Sequence, residues 1–296
     1  MRALKGIPFQ SGRASVRPPT SRGRAFVYAD GMKTRGSSLT RRSILAGTAA
    51  ATALVAPAAA QGEPRVFVLV HGAWHGGWCW RRVADRLERR GHKVYAPSLT
   101  GLGDRAHLIG TRPTVTTHID DIANIIRFED LQRVVLVGHS YGGIVISGVA
   151  EKVRPQLASI VFLDAFVPDN GATIMSLSRQ GLRDSVNAAI KRGDLGFPPA
   201  SAAYFNVNEK DRAYVDRKCT PQPIGTYGDP VRLTGAREKI AKKTYIRAKG
   251  FNAAGFDAIA ARLRDDPSWN VHDMPCGHDA MIDMPDALTA RLLAAA

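Results

Sequence analysis

A serine between two glycines has the clearest potential for chemistry in this sequence. The motif Gly138-His139-Ser140-Tyr141-Gly142 has the spacing G-x-S-x-G and stands between an apolar run, 134–137, and a helical pattern, 143–153. In a turn from strand to helix the serine takes a strained backbone conformation, and the glycines let neighbouring segments approach it. The motif therefore predicts Ser140 as the nucleophile of an acyl transfer. An ordinary glycine-rich turn is the alternative.

A serine hydroxyl is a poor nucleophile at neutral pH, so it needs a base that takes its proton. In the chain order that accompanies this motif, the histidine comes near the C-terminus. His278 follows a predicted strand, 269–271, and a loop there can return its ring to Ser140. His272 is the alternative, but it stands too close to the strand to reach back. We predict His278 as the general base.

Two backbone N–H groups are predicted to bind the oxyanion that forms on the attacked carbonyl. One belongs to Tyr141, directly after the serine, and the other to the loop after the first strand, where we choose Ala73. Trp74 and His75 would then border the acyl pocket. The alternative for the tryptophans of this region is packing of the first helix.

Short apolar runs alternate with amphipathic stretches throughout the body of the chain. This alternation predicts an α/β fold with a mainly parallel sheet flanked by helices. Strands are expected at 66–70, 93–97, 134–137, 160–163, 244–246 and 269–271. Helices are expected at 80–90, 118–128, 143–153, 256–263 and 285–293.

About eighty residues separate the strand ending near Leu163 from the strand beginning at Thr244. The interval contains helical pieces and apolar side chains such as Met175, Phe197 and Tyr204. A gap of this length is better explained by an inserted cap than by a loop. We predict a helical cap at about 166–240, between the strands near 160–164 and 244–247.

Three segments together resemble a known group of enzymes. The sequence FVLVHGAWHGGWCW at 67–80, with GHSYGG at 138–143 and CGHDAM at 276–281, is similar to the plant methylesterase and hydroxynitrile lyase group of α/β-hydrolases. Bacterial esterases of that group also resemble the chain in LDAFVPDNG at 163–171 and CTPQP at 219–223. The resemblance covers residue 65 to the C-terminus. It implies the α/β-hydrolase fold and a small, lidded, cofactor-free enzyme acting on hydrophobic esters. The apolar content of the cap favours an aryl or methyl ester as the substrate of the serine.

The resemblance also bears on the acid that orients the histidine. The group normally carries an aspartate in the loop after the strand at 244–246, where this chain has Phe251. Other branches, such as haloalkane dehalogenases, resemble the chain in carrying the acid one strand earlier, at Asp164. Both strand ends lie where the histidine loop arrives, so either aspartate could accept from His278 Nδ1. On the resemblance we choose Asp164, with Asp257 as the alternative and another carboxylate, or none, as the remaining possibility.

Two further positions depart from the lyases of this group. Those enzymes have a threonine after the first histidine and a lysine after the catalytic one, where this chain has Gly72 and Asp279. An anion beside the site would repel cyanide, so lyase activity is disfavoured. The alternatives to an esterase remain a lyase or cofactor-free oxidative enzyme on this scaffold, and a non-catalytic protein that binds a small molecule. Analysis of the reaction products distinguishes a lyase or an oxidative enzyme from an esterase. Covalent labelling of Ser140 distinguishes an esterase from a non-catalytic binding protein.

The net charge of +15 at first suggests nucleic acid as a partner. Residues 1–60, however, hold ten basic side chains and one acidic one, which leaves 31 basic and 25 acidic side chains in the body. Because this excess is small and scattered, we predict no nucleic-acid partner. Cys79, Cys219 and Cys276 match no metal-ligand spacing, so no metal site is expected. In an oxidising compartment one pair of these cysteines could form a disulfide, but the sequence does not show which pair. The sequence does not indicate the oligomeric state.

The first sixty residues predict an export leader. Thr40-Arg41-Arg42-Ser43 precedes an apolar stretch, 44–55, and small residues at 58–60 offer a cleavage site, which is typical of a bacterial twin-arginine signal. The stretch is shorter than the roughly 20 residues that cross a bilayer, so no stable membrane anchor is expected. Met32 is an alternative start. The hydrolase domain is then 61–296, in a periplasmic or secreted protein.

Mass spectrometry of the exported protein tests the leader. We expect the mature N-terminus at Gln61, because the small residues before it suit signal cleavage. A mature N-terminus upstream of Gln61 would contradict the predicted cleavage.

Overall fold

The computed structural model describes residues 63–296. The predicted leader, its cleavage site and the alternative start at Met32 fall outside the described residues. No helix within 63–296 is long and apolar enough to cross a membrane.

The central sheet has six parallel strands. The strands of the described part are β1 Val66–Val70, β2 Lys93–Tyr95, β3 Val134–His139, β4 Leu157–Leu163, β5 Gly196–Phe197, β6 Gln222–Pro223, β7 Lys242–Ala248 and β8 Trp269–Met274. The order across the sheet is β2-β1-β3-β4-β7-β8, while β5 and β6 form a separate antiparallel pair. The predicted, mainly parallel sheet is confirmed.

The inner strands are apolar along most of their length because helices cover both faces of the sheet. All residues of β3 are buried, and β1 has only its first residue partly exposed. The edge strand β2 has no fully buried residue. Since the six strands are parallel, the loops at their carboxyl ends meet along one edge, where open α/β sheets bind ligands.

Helices pack on both faces of this sheet. They are α1 Arg81–Glu88, α2 Val115–Phe128, α3 Gly142–Val153, α4 Ile174–Leu177, α5 Gln180–Arg192, α6 Glu209–Lys218, α7 Gly225–Gly228, α8 Ala254–Arg264, α9 Ala280–Asp283 and α10 Pro285–Ala295. Short 3₁₀ helices occupy Gly77–Trp80, Gly103–Thr111, Arg154–Gln156 and Arg237–Lys239.

Several elements extend beyond their predicted bounds. Strand β8 continues to Met274, because His272 and Asp273 still pair with β7 although the apolar pattern has stopped. Helix α2 begins at Val115, before the predicted 118, because Thr114 caps it by accepting a hydrogen bond from Thr117 N. Backbone pairing and capping therefore extend these elements past the apolar residues that reveal them.

The insertion between β4 and β7 is the predicted cap. It contains α4, α5, α6 and α7, together with the antiparallel pair β5 and β6. The two-stranded pair was not predicted, because strands of two residues leave no alternating pattern in a sequence.

The three cysteines are free thiols. Cys79 and Cys276 are buried, and Cys219 is half-buried. Burial raises the pKa of both Cys219 and Cys276 to about 12. The three thiols therefore stay protonated near neutral pH.

Candidate active site

Ser140 lies in the turn between β3 and α3 with a φ of 53°. This left-handed conformation is costly for a residue with a side chain, so the surroundings must impose it. A β-carbon added at Gly138 would lie 2.6 Å from the carbonyl oxygen of Gly142, and one added at Gly142 would lie 2.8 Å from the carbonyl oxygen of Val70. The two glycines of the motif are therefore needed for the close approach of chain segments around the serine.

The backbone of Ser140 is fixed on both sides. Its N–H donates to the carbonyl oxygen of Leu163 at 3.1 Å, and its own carbonyl oxygen accepts from Gly143 N at 3.1 Å and Phe166 N at 3.2 Å. These bonds connect the turn to the end of β4 and to the helix that follows. The strained serine is held by the sheet on one side and by α3 on the other.

His278 lies in the loop between β8 and α9 and is only 3% exposed. Its backbone N–H donates to the carbonyl oxygen of Phe205 at 2.9 Å. The rings of Phe251 and Phe256 lie 4.6 Å and 5.7 Å from its imidazole, centroid to centroid. The ring of His139, the residue before the serine, lies 4.4 Å away. Aromatic packing therefore holds the imidazole beside the serine turn.

Asp164 follows β4 directly and is fully buried, with a φ of 42°. His278 Nδ1 donates to Asp164 Oδ2 at 2.6 Å. The other carboxylate oxygen accepts from Arg247 Nη1 at 2.8 Å and from Ala248 N at 3.1 Å. Both oxygens of this carboxylate are thus engaged, and one of them orients the imidazole.

Asp257, the alternative acid, does not contact His278. Its carboxylate accepts from Arg247 Nε at 3.1 Å and from Lys249 Nζ at 2.8 Å, and its side chain is 41% exposed. The pKa of Asp257 is lowered mainly by the hydrogen bonds from Lys249 and Arg247. The structure thus brings His278 together with Asp164 and leaves Asp257 at the surface end of the arginine.

Arg247 is a member of this site that the sequence did not reveal. Its guanidinium is 1% exposed and lies between Asp164 and Asp257. Burial alone would lower the pKa of Arg247, but the two carboxylates raise it, so the side chain stays charged. A basic residue inside the buried strand β7 was the available signal, since a buried arginine needs an anionic partner.

Ala73 and Tyr141 have backbone N–H groups that donate no hydrogen bond within residues 63–296. His71 helps to direct the first of them. Its Nδ1 donates to the carbonyl oxygen of Gly72 at 2.8 Å while its Nε2 accepts from Leu99 N at 3.0 Å, so the ring is neutral. Burial lowers the pKa of His71 to about 3. In a trans peptide the N–H of Ala73 points away from the carbonyl that His71 holds.

One cavity of about 490 Å³ joins these groups. Ser140, His278, Ala73, Tyr141 and Trp74 all line it. Aromatic rings supply much of its wall: Trp74, Phe166, Tyr204, Phe205, Phe251 and Phe256. This volume is in the usual range of about 300–1,000 Å³ for a small-molecule site.

His75 and Asp279 were both expected to border the site, but the structure places them elsewhere. Neither lines the cavity. His75 Nε2 lies 3.0 Å from Asp279 Oδ2, and His75 Nδ1 lies 2.8 Å from the carbonyl oxygen of Ala73. Because both partners are acceptors, both ring nitrogens must carry protons, and His75 is an imidazolium. The sequence gives no sign of this pair, whose members are 204 residues apart.

The buried charges of this pair stabilise each other. Burial alone would lower the pKa of His75, but the Asp279 carboxylate raises it. Burial alone would raise the pKa of Asp279, but His75 lowers it. Within residues 63–296, no cluster of three or more His, Cys, Asp or Glu side chains is arranged to hold a metal ion.

Comparisons with known proteins identify the family of the chain. Residues 67–292 match the model of the alpha/beta hydrolase family. A carbendazim hydrolyzing esterase from Nocardioides sp. (strain SG-4G) is 44% identical over 237 residues, which are 77% of this chain and 98% of that protein. Methylesterase 10 from Arabidopsis thaliana is 30% identical over 247 residues, covering 76% of this chain and 90% of that protein.

A solved structure shares the fold. An extracellular alpha/beta-hydrolase from a Paenibacillus species, described as a structural and functional homologue of tobacco salicylic acid binding protein 2, superposes with a TM-score of 0.69 and 21% identity. The match covers 78% of this chain and 99% of that one. The chain therefore belongs to the α/β-hydrolase family and, with its most similar relatives, to the ester hydrolases within it.

Proposed function

We propose that the chain is a serine esterase in which Ser140 attacks the ester carbonyl and His278 takes the serine proton. Asp164 orients the imidazole and stabilises its cationic form. The N–H groups of Ala73 and Tyr141 bind the oxyanion, and water then releases the acyl group from the serine. The observation that carries the proposal is the 2.6 Å hydrogen bond between His278 and Asp164, made beside a cavity that Ser140 also lines.

The proposed substrate is a small ester with a flat, apolar acyl or alcohol group. The aromatic side chains of Trp74, Phe205 and Phe251 line the cavity and can pack against such a group, and no acidic side chain lines it. A relative that hydrolyses carbendazim supports an aromatic ester, and the methylesterase relatives support a small alcohol. Such acyl transfer needs only these side chains and water, so we propose no cofactor.

The space around Gly72 argues against a lyase. A β-carbon added at this position would lie 2.9 Å from the β-carbon of Ser140 and 2.8 Å from His139 Nδ1. A threonine side chain would therefore not fit here without movement of the serine turn. The side chain of Asp279, which stands where the lyases have a lysine, is directed toward His75 and does not line the cavity.

An ester panel that varies the acyl and alcohol groups, with carbendazim included, tests the proposal. We expect Ser140→Ala to lower kcat by at least about 10³-fold on every ester that the wild type cleaves, since the nucleophile is lost. A fluorophosphonate probe should label the wild type at Ser140. Ser185→Ala is the matched control, because Ser185 is an exposed residue of α5 outside the cavity.

The alternative of a non-catalytic binding protein makes the opposite prediction. Purified wild type would then bind an aromatic ligand but show no burst with p-nitrophenyl acetate and no labelling of Ser140. That result would contradict the proposed esterase.

A further inference from the structure

Trp74 follows the proposed oxyanion donor Ala73 and has an unusual backbone. Its φ is 65°, in the left-handed region that a bulky residue rarely adopts. Such a conformation is costly and persists only where neighbouring groups impose it. The groups that impose it here are in the cap.

Three hydrogen bonds connect Trp74 to three residues of the cap, which lie in two segments. Its backbone N–H donates to Gln222 Oε1 at 3.0 Å. Its carbonyl oxygen accepts from Thr220 N at 2.8 Å. Its indole Nε1 donates to the carbonyl oxygen of Phe197 at 3.1 Å. Every hydrogen-bonding group of Trp74 is therefore satisfied by the insertion between β4 and β7.

The amide of Gln222 is fixed in one orientation. The side chain is fully buried, and its Nε2 donates to Thr226 Oγ1 at 2.9 Å. The hydroxyl of Thr226 donates to the carbonyl oxygen of Pro223 at 2.7 Å, so its oxygen is left to accept from Gln222. The carbonyl oxygen of Gln222 consequently faces the backbone of Trp74.

The peptide between Ala73 and Trp74 is held at both of its polar atoms. His75 Nδ1 donates to its carbonyl oxygen at 2.8 Å, and Gln222 accepts from its N–H. The preceding peptide is held by His71 through the carbonyl oxygen of Gly72. The free N–H of Ala73 belongs to this preceding peptide and is joined through the α-carbon of Ala73 to the peptide that His75 and Gln222 hold, so its direction depends on how both peptides are fixed.

We infer that Gln222 is a positioning residue of the oxyanion hole, through which the cap sets the direction of the Ala73 N–H. This inference rests on the proposed function, because it assigns that N–H to the oxyanion. Gln222 does not line the cavity and acts only through the backbone of Trp74. The cap thus has a role in the chemical step as well as covering the substrate.

Removal of the Gln222 carbonyl leaves the half-buried N–H of Trp74 without its acceptor. The strained φ of Trp74 is then free to relax, and the Ala73 N–H turns with it. Deletion of one oxyanion donor costs about 10²–10³-fold in kcat. Since the donor is here displaced and not deleted, we expect Gln222→Met to lower kcat by about 10–100-fold, with KM changed by less than about threefold.

The test compares Gln222→Met with Gln222→Glu, which retains an acceptor for Trp74 N. Turnover is expressed per active site, counted by the p-nitrophenyl acetate burst, so that misfolded protein does not contribute. Gln222→Glu should keep kcat within about fivefold of the wild type. Gln156→Met is the matched control: Gln156 precedes β4, its buried Oε1 accepts no hydrogen bond within the described residues, and we expect wild-type kcat.

A pair of ketones separates positioning from structural support. Trifluoroacetophenone adds to a serine and forms an oxyanion, whereas acetophenone only occupies the site. Gln222→Met should bind trifluoroacetophenone about 10–100-fold more weakly and acetophenone as the wild type does. If the variant yields no folded protein, Gln222→Asn withdraws the same carbonyl by one methylene group and is expected to show the same pattern.

Unchanged kcat and unchanged trifluoroacetophenone affinity in Gln222→Met, or equal weakening of both ketones, would overturn the inference. The proposed function is checked separately by the wild type. A wild type without burst or serine labelling overturns both the function and the inference. A wild type that shows both, beside an unimpaired Gln222→Met, overturns the inference alone.

Discussion

Asp164→Asn is expected to lower kcat by about 10³–10⁴-fold while the protein stays folded. The substitution keeps the size of the side chain, but it changes which atom faces the histidine. Arg247 Nη1 and Ala248 N both donate to Asp164 Oδ1, so the amide oxygen of an asparagine must take that position. The NH₂ group then faces His278 Nδ1.

An NH₂ group donates, so it forces Nδ1 of His278 to accept. The proton of the neutral imidazole then moves to Nε2, the nitrogen that must take the proton of Ser140. The base is present in the wrong tautomer, and the cation that forms during attack loses its anionic partner. The loss is therefore expected in kcat, with little change in KM.

Asp257→Asn is the control, since this change has the same chemistry at the other end of Arg247. We expect kcat within about fivefold of the wild type, because the Asp257 side chain is 41% exposed and does not touch the imidazole. Steady-state kinetics and fluorophosphonate labelling rates of both variants make the comparison. Equal, mild losses of kcat in the two variants would rule out Asp164 as the acid.

Ser140 and His278 could be predicted as candidate site residues because each stands in a recognisable local sequence context. Ser140 has glycines two positions to either side, and those glycines are required by close backbone contacts with Gly142 and Val70. His278 follows the last strand, at the sheet edge where the other loops meet. Local spacing and chain order were sufficient to predict that both side chains lie at one cavity.

The aspartate that contacts His278 could be narrowed to two residues from the sequence, but spacing did not choose between them. Asp164 and Asp257 both follow strands that neighbour each other in the sheet, so both reach the correct edge. The choice depends on Arg247, which points its guanidinium between them. A side-chain direction of this kind is decided by packing, which a linear pattern does not contain.

The contacts of the loop after β1 could not be predicted from the sequence. Trp74 meets Gln222 across 148 residues, and His75 meets Asp279 across 204. Both pairs depend on how the cap and the last loop fold back on the sheet. Asp279 was expected beside the substrate because it follows His278, yet consecutive residues in a loop point in different directions.

The second large effect concerns stability. Asp279→Asn is expected to lower the free energy of unfolding by about 3–5 kcal/mol, because it removes the carboxylate that balances a fully buried imidazolium. His75→Gln should cost a similar amount, since it leaves the Asp279 carboxylate buried at 0% exposure without its cation. Urea unfolding followed by tryptophan fluorescence measures both.

The double variant His75→Gln/Asp279→Asn is the control for this pair. It leaves no unpaired charge, so its loss of unfolding free energy should be clearly smaller than the sum of the two single losses. Additive losses would show that the two charges do not stabilise each other. Losses below about 0.5 kcal/mol in both single variants would contradict a charged pair altogether.

The difference in unfolding free energy between wild type and Asp279→Asn depends on pH, and this dependence shows which member of the pair is positive and which is negative. The raised pKa of His75 contributes stability that is complete below about pH 6.5 and is lost as the pH rises through the folded-state value. The lowered pKa of Asp279 contributes stability that is complete above about pH 4 and is lost as the pH falls through its folded-state value. The difference in unfolding free energy should therefore be largest between about pH 4 and 6.5 and should narrow toward alkaline pH.

His71 and His118 titrate in the opposite sense and must be separated from this effect. Burial lowers their pKa values to about 3 and about 4, so the stability that they contribute is present above about pH 6.5 and is lost as the pH falls. Both histidines are present in wild type and variant, so their contributions largely cancel in the difference. Loss of the His75 proton with rising pH can only narrow the difference in unfolding free energy between wild type and variant. A difference that widens from about pH 6 to 9 would therefore contradict an imidazolium at His75.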